Sequence, residues 1–201
     1  MTQTLDQAAI SNVFLRAILE NWKTRKWTTM GFGMIRTYLG ESKRFRLNIW
    51  DDRLRTNPPA STIHDHPWDF TSYIISGRLL NIAYYVVEVD TNDETSTHQY
   101  FRIKTGEGGG PTEDPKFARL TFACAQLYSE GDDYYQSKEC VHETQYDRGT
   151  VTLNDRSPPT AEYTARVFWP RGQSWVDAVP RPATNAEIKQ AVESALDGWT
   201  P

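Results

Sequence analysis

The sequence predicts a mainly β domain bracketed by an N-terminal and a C-terminal helix. Three observations lead there. Short runs of alternating apolar and polar residues fill the middle of the chain, clusters of turn formers separate them, and apolar residues at helical spacing mark both ends. Aromatic residues make up 12% of the 201, with 7 Trp and 10 Tyr among them, and alongside Val, Ile and Thr they favour half-buried pleated surfaces. Many short strands at such spacing point to a sandwich or a barrel.

The first segment, TLDQAAISNVFLRAILENWKTR, places Ile10, Phe14, Ile18 and Trp22 four apart, a helical stripe among good helix formers. Eight strand-like runs follow: GFGMIRTYL, KRFRLNIW, TSYIISG, RLLNIAYYVVEVD, HQYFRIK, ARLTFACAQLY, GTVTLND and AEYTARVFWP. KRFRLNIW alternates cleanly, with Phe45, Leu47 and Ile49 opposing Arg46, Asn48 and Trp50. The clusters DDRLRTNPPAS, DTNDETS and TGEGGGPTEDP read as turns and loops. The glycine-rich stretch at 106–110 lacks the following Lys-Ser/Thr and the helix of a phosphate-binding loop, so it reads as a mobile loop or a lid, the loop alone being favoured. After Pro180 and Pro182, Thr184 stands three residues before Glu187 as in a capping box. Ile188, Val192 and Leu196 then recur at helical spacing before Gly198. The organisation is one domain: helical region 1–26, β-barrel region 27–178 and helical region 179–201.

Charge narrows the partners. Lys and Arg total 22 against 26 Asp and Glu, a net charge of -4, which gives no basic excess for nucleic-acid binding. No apolar run approaches a membrane span, and the opening MTQTLDQAAISNVF lacks the basic and apolar regions of a secretory signal. Two cysteines cannot form a disulfide framework in a chain this long. A soluble, cytoplasmic protein with a small-molecule partner is expected, with neither nucleic acid nor membrane; a homodimer is compatible. There is no G-x-S-x-G elbow, CxxC pair or dinucleotide fingerprint, so neither a hydrolase triad nor a nicotinamide enzyme has support.

Chemistry concentrates on the histidines. His64 and His66, in ASTIHDHPWDFTSYIISGRL, stand two apart, so on a strand both imidazoles leave the same face. Two imidazoles on one face make half a site for Zn, Fe, Cu or Ni. The pair follows an NPPAS turn and leads into a strand that closes at Gly77, and this arrangement resembles the first motif of the cupin family. SKECVHETQ resembles the second cupin motif, with His142 at the position of its metal-binding histidine. HDHPWDF after RFRLNIW, with the late ARVFWPRGQSW, looks like a group of small bacterial and phage cupin-like proteins that carry His-x-His-Pro-Trp-x-Phe.

The resemblance implies a jelly-roll barrel, or double-stranded β-helix, with a metal inside one mouth. Two departures qualify it. Phe70 occupies the place of the usual glutamate ligand, and Ser137-Lys138-Glu139 replaces the usual Pro-x-Gly turn. The resemblance therefore implies a three-histidine site of His64, His66 and His142 for one divalent ion, Fe(II) first and Zn, Ni or Mn as alternatives. Three-histidine cupins include thiol dioxygenases, so the expected activity is that of a mononuclear Fe(II) oxygenase acting on a small organic molecule. The alternative is a non-enzymatic cupin that binds or sequesters a small molecule.

Other residues carry two readings each. Asp69 is a ligand if Pro67 introduces a bulge, or otherwise an acceptor that orients a histidine or a loop amide; regular strand parity favours the second. Asp65 is expected on the opposite face from the histidines, solvated or salt-bridged. Arg46 and Asn48, Arg166, and the hydroxyls of Tyr73 and Tyr84 are candidate pocket residues if their faces line a barrel; a guanidinium there would grip a carboxylate or phosphate. His98 reads as an exposed strand-end residue. Cys140 stands as ligand, redox-sensitive neighbour or small buried hydrophobe.

Overall fold

Alternation in the central runs becomes two antiparallel sheets in the computed structural model, which describes residues 12–56, 61–90, 93–103, 111, 113–158, 164–173 and 180–197. Helix α1 spans Asn12–Glu20, and a short 3-10 turn at Trp22–Thr24 follows it. The strands are β1 (Thr28–Met30), β2 (Phe32–Leu39), β3 (Phe45–Arg55), β4 (Phe70–Ser76), β5 (Arg78–Val89) and β6 (His98–Ile103). They continue as β7 (Lys116–Ser129), β8 (Asp133–Gln136), β9 (Val141–Tyr146), β10 (Val151–Arg156), β11 (Ala165–Pro170) and β12 (Arg181–Pro182), before helix α2 at Asn185–Asp197. One sheet has the order β12-β1-β2-β3-β10-β4-β8, the other β11-β6-β7-β5-β9.

The seven-stranded sheet is covered on its outer face by both helices. Ile35, Leu47, Ile49 and Val151 meet Leu15 and Leu19 of α1 and Ile188, Ala191, Val192 and Ala195 of α2. Burying each large aliphatic side chain is worth about 1.5–3 kcal/mol, so this layer is the principal apolar core. The capping box forms: the Thr184 amide donates to Glu187 Oε2 at 2.8 Å, and the Glu187 amide donates to Thr184 Oγ1 at 3.3 Å. At the other end the predicted stripe is rotated. Phe14 is 52% exposed, whereas Leu15 and Leu19 are fully buried and Ile18 nearly so. Steps of four residues advance 400° and drift around a helix, so the buried face of this short helix follows the three-and-four spacing Leu15, Ile18, Leu19 instead. Ile10 and Gly198 lie outside the described residues.

Two further corrections concern strands. DDRLRTNPPAS reads as a turn, yet Asp51–Arg55 continue β3. The Asp51 carboxylate removes the cost of the polar run: it accepts the Arg53 amide at 3.0 Å and Arg53 Nε at 2.9 Å. The short strands β1, β8 and β12 carry no alternation long enough to be noticed in the sequence. Tight turns are made where expected. Gly77 between β4 and β5 has φ 78, and a Cβ there would lie 2.5 Å from Thr150 Oγ1, so only glycine fits.

The segment before β4 joins the edges of the second sheet. His64 exchanges both backbone hydrogen bonds with His142 of β9, each 2.9 Å. On its other side the Asp65 amide donates to the Arg166 carbonyl and the Phe168 amide to the Ile63 carbonyl, 3.1 and 3.0 Å, both on β11. Ile63–Asp65 therefore lies between the two end strands of the five-stranded sheet. Behind it Tyr100, Ala118, Val141 and Phe168 form a separate apolar cluster.

Candidate functional site

Backbone pairing brings the histidines together. His64 and His142 are directly opposed in a hydrogen-bonded antiparallel pair, which sends both side chains to one face, and His66, two residues on, shares that face. Their ring centroids are 4.6, 5.0 and 5.2 Å apart, and one nitrogen from each lies within 4.8 Å of the others. His66 Nε2 and His142 Nε2 are separated by 3.1 Å. His66 and His142 are buried and His64 is half-buried.

Each ring is held by a neighbour. His64 Nδ1–H donates to the Thr62 carbonyl at 2.8 Å, and His142 Nδ1–H donates to Asn81 Oδ1 at 2.7 Å. Both bonds leave Nε2 with its lone pair directed away from the backbone, the tautomer a metal needs. Phe32 stacks on His64 at 5.8 Å, and Phe70 meets His66 edge-on at 5.0 Å. Burial, and then the neighbouring histidines, hold His66 and His142 well below the ordinary imidazole value, and burial lowers His64. All three are neutral at physiological pH, the form in which imidazole ligates. Two nitrogens roughly 2.0–2.2 Å from one ion at about a right angle would lie about 3 Å apart, so the His66–His142 spacing fits a shared cation. The donor set therefore suits a divalent transition ion.

The cluster forms part of the wall of a cavity of about 430 Å³ between the sheets, within the range of small-molecule sites. Trp50, Trp68, Phe70, Tyr134 and Trp169 provide apolar surface, while Arg36, Tyr38, Arg46, Asn154 and Arg156 give it a polar side. These polar residues come from the inner face of the seven-stranded sheet, back to back with the aliphatic residues under the helices.

Of the residues singled out in the sequence, Arg46 lines the cavity, and Asn48 lies buried beside it, donating to Thr152 Oγ1 at 3.0 Å and Asn154 Oδ1 at 3.1 Å. Three others lie outside the described lining. Tyr73 falls between the inward-facing Ser72 and Ile74 and so points outward. Tyr84 donates to Glu143 Oε1 at 2.5 Å on the far face of the five-stranded sheet. Arg166 is taken up by Asp65, whose carboxylate accepts its amide and its Nε, both at 2.6 Å. Asp65 is thus salt-bridged, and fully buried. The chain bends at Pro67 and Trp68, and the Asp69 carboxylate accepts the Lys138 amide at 2.9 Å instead of joining the histidines. It anchors the turn that leads into β9 and His142.

Cys140 is half-buried, its thiol raised by burial, and His98 pairs with Thr97 Oγ1 at 2.9 Å; neither belongs to the cluster. The glycine-rich stretch at 106–110 lies outside the described residues. Sequence reasoning missed Asn81, Arg36, Tyr38 and Arg156. A signal existed for each: a lone Asn inside the apolar run RLLNIAYYVV, and cationic or aromatic residues on the minor face of two alternating strands.

No protein-family model matches this chain, and no curated protein matches it. Among the described residues no helix is long and apolar enough to cross a membrane.

Proposed function

We propose that the chain is a cupin-like jelly-roll metalloprotein and a mononuclear Fe(II) oxygenase acting on a small organic molecule. The observation that carries this reading is the convergence of three neutral imidazoles, each with its nitrogen near the other two, on the wall of a cavity. His64, His66 and His142 would hold the ion, which would supply oxygen activation at coordination positions left open by only three protein ligands. Thr62 and Asn81 keep the imidazole protons on Nδ1. Trp50, Trp68 and Phe70 exclude water from the space in front of them, and the arginine side of the cavity orients the substrate. Two free cysteines support a reducing, cytoplasmic setting.

A second reading, a binding or sequestering protein without turnover, is favoured by one observation. Asp65, the one carboxylate in the described lining, is engaged by Arg166, so the described wall offers no carboxylate free to act as a general base. Metal analysis of the purified protein, followed by oxygen uptake after anaerobic Fe(II) loading with a panel of small metabolites, tests both. Stoichiometric metal that is lost in His142→Ala supports the centre, and oxygen uptake supports the oxygenase. Failure of the wild-type chain to retain any divalent ion would sink the metal reading.

A further inference from the structure

The cavity carries a charge imbalance that the three histidines leave unexplained. Arg36 on β2, Arg46 on β3 and Arg156 on β10 step diagonally across three adjacent strands: Arg36 pairs with Asn48, two residues from Arg46, and Arg46 pairs with Asn154, two residues from Arg156. Such diagonal neighbours are within reach of long side chains. Lys43 joins them from the β2–β3 turn, where it holds a left-handed φ of 55, the only non-glycine with positive φ among the described residues. A left-handed lysine costs strain and places the ammonium 5.9 Å from the Tyr38 ring.

None of these guanidiniums meets a carboxylate among the described residues. Asp65, the only acid in the described lining, is committed to Arg166. Arg46 is only 5% exposed, and its Nε is buried with no hydrogen-bond partner; the Nε atoms of Arg36 and Arg156 are likewise orphaned. The Arg156 guanidinium lies 4.4 Å over Trp68 and 5.0 Å over Tyr38, which holds its plane in place, and its Nη2 donates to the Lys43 carbonyl. Burial, then the guanidiniums of Arg36 and Arg156, push Arg46 down to about 9. For the Tyr38 phenol, burial acts upward but is outweighed by Arg36, Arg46, Arg156 and Lys43, and the net shift is downward. Arg46 is buried, Arg36 and Arg156 are half-buried, and such a group of guanidiniums without a carboxylate is unfavourable unless an anion completes it.

We propose that the cavity binds a small molecule carrying two negative charges on oxygen, on the single group of a phosphate monoester or on the two carboxylates of a dicarboxylate, gripped by Arg36, Arg46 and Arg156. Two charges match the site better than one, because three guanidiniums and an ammonium face no free carboxylate in the described lining. Guanidinium forks are suited to bidentate capture of planar carboxylate and of phosphate. Arg46, Arg156 and the three histidines line the same cavity, so the anchored group would sit in the space that the histidines face. This inference names the substrate class of the proposed enzyme and rests on that reading for the word substrate; the binding itself needs no metal.

Thermal unfolding of the metal-free protein, in chloride buffer at constant ionic strength, tests it. Inorganic phosphate and malonate represent the two sources, and acetate is the singly charged control. A saturable rise in Tm of about 5–10 °C is expected at a hundredfold excess over Kd with at least one dianion. A response to phosphate alone assigns a phosphate monoester, and a response to malonate alone a dicarboxylate. Arg46→Met should weaken the response at least tenfold while leaving Tm in chloride equal to or above that of the parent, since it removes an unpaired buried charge. Should Arg46→Met not fold, Arg36→Met and Arg156→Gln must each weaken the response. No rise with either dianion, an equal rise with acetate, or an undiminished response in the arginine variants would overturn the inference. Divalent-metal binding measured by titrating the same stripped protein separates the readings: metal bound without dianion binding refutes this inference alone, and dianion binding without metal binding refutes the metal centre alone.

Discussion

Asn81→Ala is the sharpest probe of how the histidine cluster is held. Asn81 sits on β5, opposite Thr144 of β9, and links two buried groups: its Oδ1 accepts His142 Nδ1–H at 2.7 Å, and its Nδ2 donates to Gln136 Oε1 at 3.0 Å. Truncation leaves the His142 Nδ1–H without its acceptor in a ring that is 3% exposed, and such an orphan costs about 1–3 kcal/mol. The imidazole regains part of this by moving its proton to Nε2 or by rotating, and either change removes the lone pair from the cluster. Loss of a group that orients a ligating histidine typically lowers metal affinity about 10–100-fold, or about 1.4–2.7 kcal/mol. Asn81→Asp keeps an acceptor and makes His142 more basic, so it should bind metal as tightly as the parent or more tightly. The Gln136 amide can then turn its Nε2 toward the new carboxylate. Titration of the apo-protein with Co(II) or Zn(II) against a chromophoric chelator reads both variants, with circular dichroism to establish that they fold. Parental affinity in a folded Asn81→Ala would refute the argument that Asn81 sets the tautomer.

Three other perturbations follow from the same geometry. Asp69→Asn keeps an oxygen for the Lys138 amide, so metal affinity should fall less than about tenfold; a larger loss in the same chelator titration would place Asp69 on the ion itself. Gly149→Ala forces a side chain onto a residue at φ 85 and puts its Cβ 2.4 Å from the Ser194 carbonyl of α2, so strain and overpacking together should cost about 2–4 kcal/mol in urea unfolding. Less than about 1 kcal/mol would mean that α2 yields freely. Hydrogen bonding to Arg181 holds Glu187 at about 2, below its ordinary 4.5. A carboxylate depressed on folding stabilises above its unfolded value and loses that contribution as pH falls through its folded value. Glu187→Gln should therefore cost about 1 kcal/mol at pH 7, with the difference shrinking as pH falls from about 4.5 towards and below 2, and a pH-independent difference would show that charge is irrelevant there.

The histidine cluster was legible in part. His64 and His66 share a face because side chains alternate along extended chain, and that parity is local. That His142 joins them depends on the backbone pair His64–His142, formed between residues far apart in sequence, and the resemblance of SKECVHETQ to a known motif was the only hint of it. Asn81 could be noticed as a polar residue in an apolar run, but its hydrogen bond to His142 arises from the β5–β9 register. Asp69 illustrates the opposite case, since strand parity sent it away from the histidines and the bend at Pro67 did not bring it back.

Composition and periodicity determined the class of structure: alternating runs become strands, and the capping box and apolar spacing at the C-terminal end become a helix. They also determined that β2, β3 and β10 each have an aliphatic face and a polar or aromatic one, as in Leu47 and Ile49 against Arg46, Asn48 and Trp50. What covers each face was decided only in three dimensions. A polar face on an amphipathic strand ordinarily meets water, and here it meets a cavity, because the helices take the aliphatic face and the second sheet closes over the other. Period-two alternation is a property of neighbouring residues, whereas the partner of a face is set by packing between segments more than a hundred residues apart. For that reason Arg46 reads in the sequence as either a pocket residue or an ordinary surface one, and in the folded chain it is a buried cation on the wall of the cavity that the three histidines share.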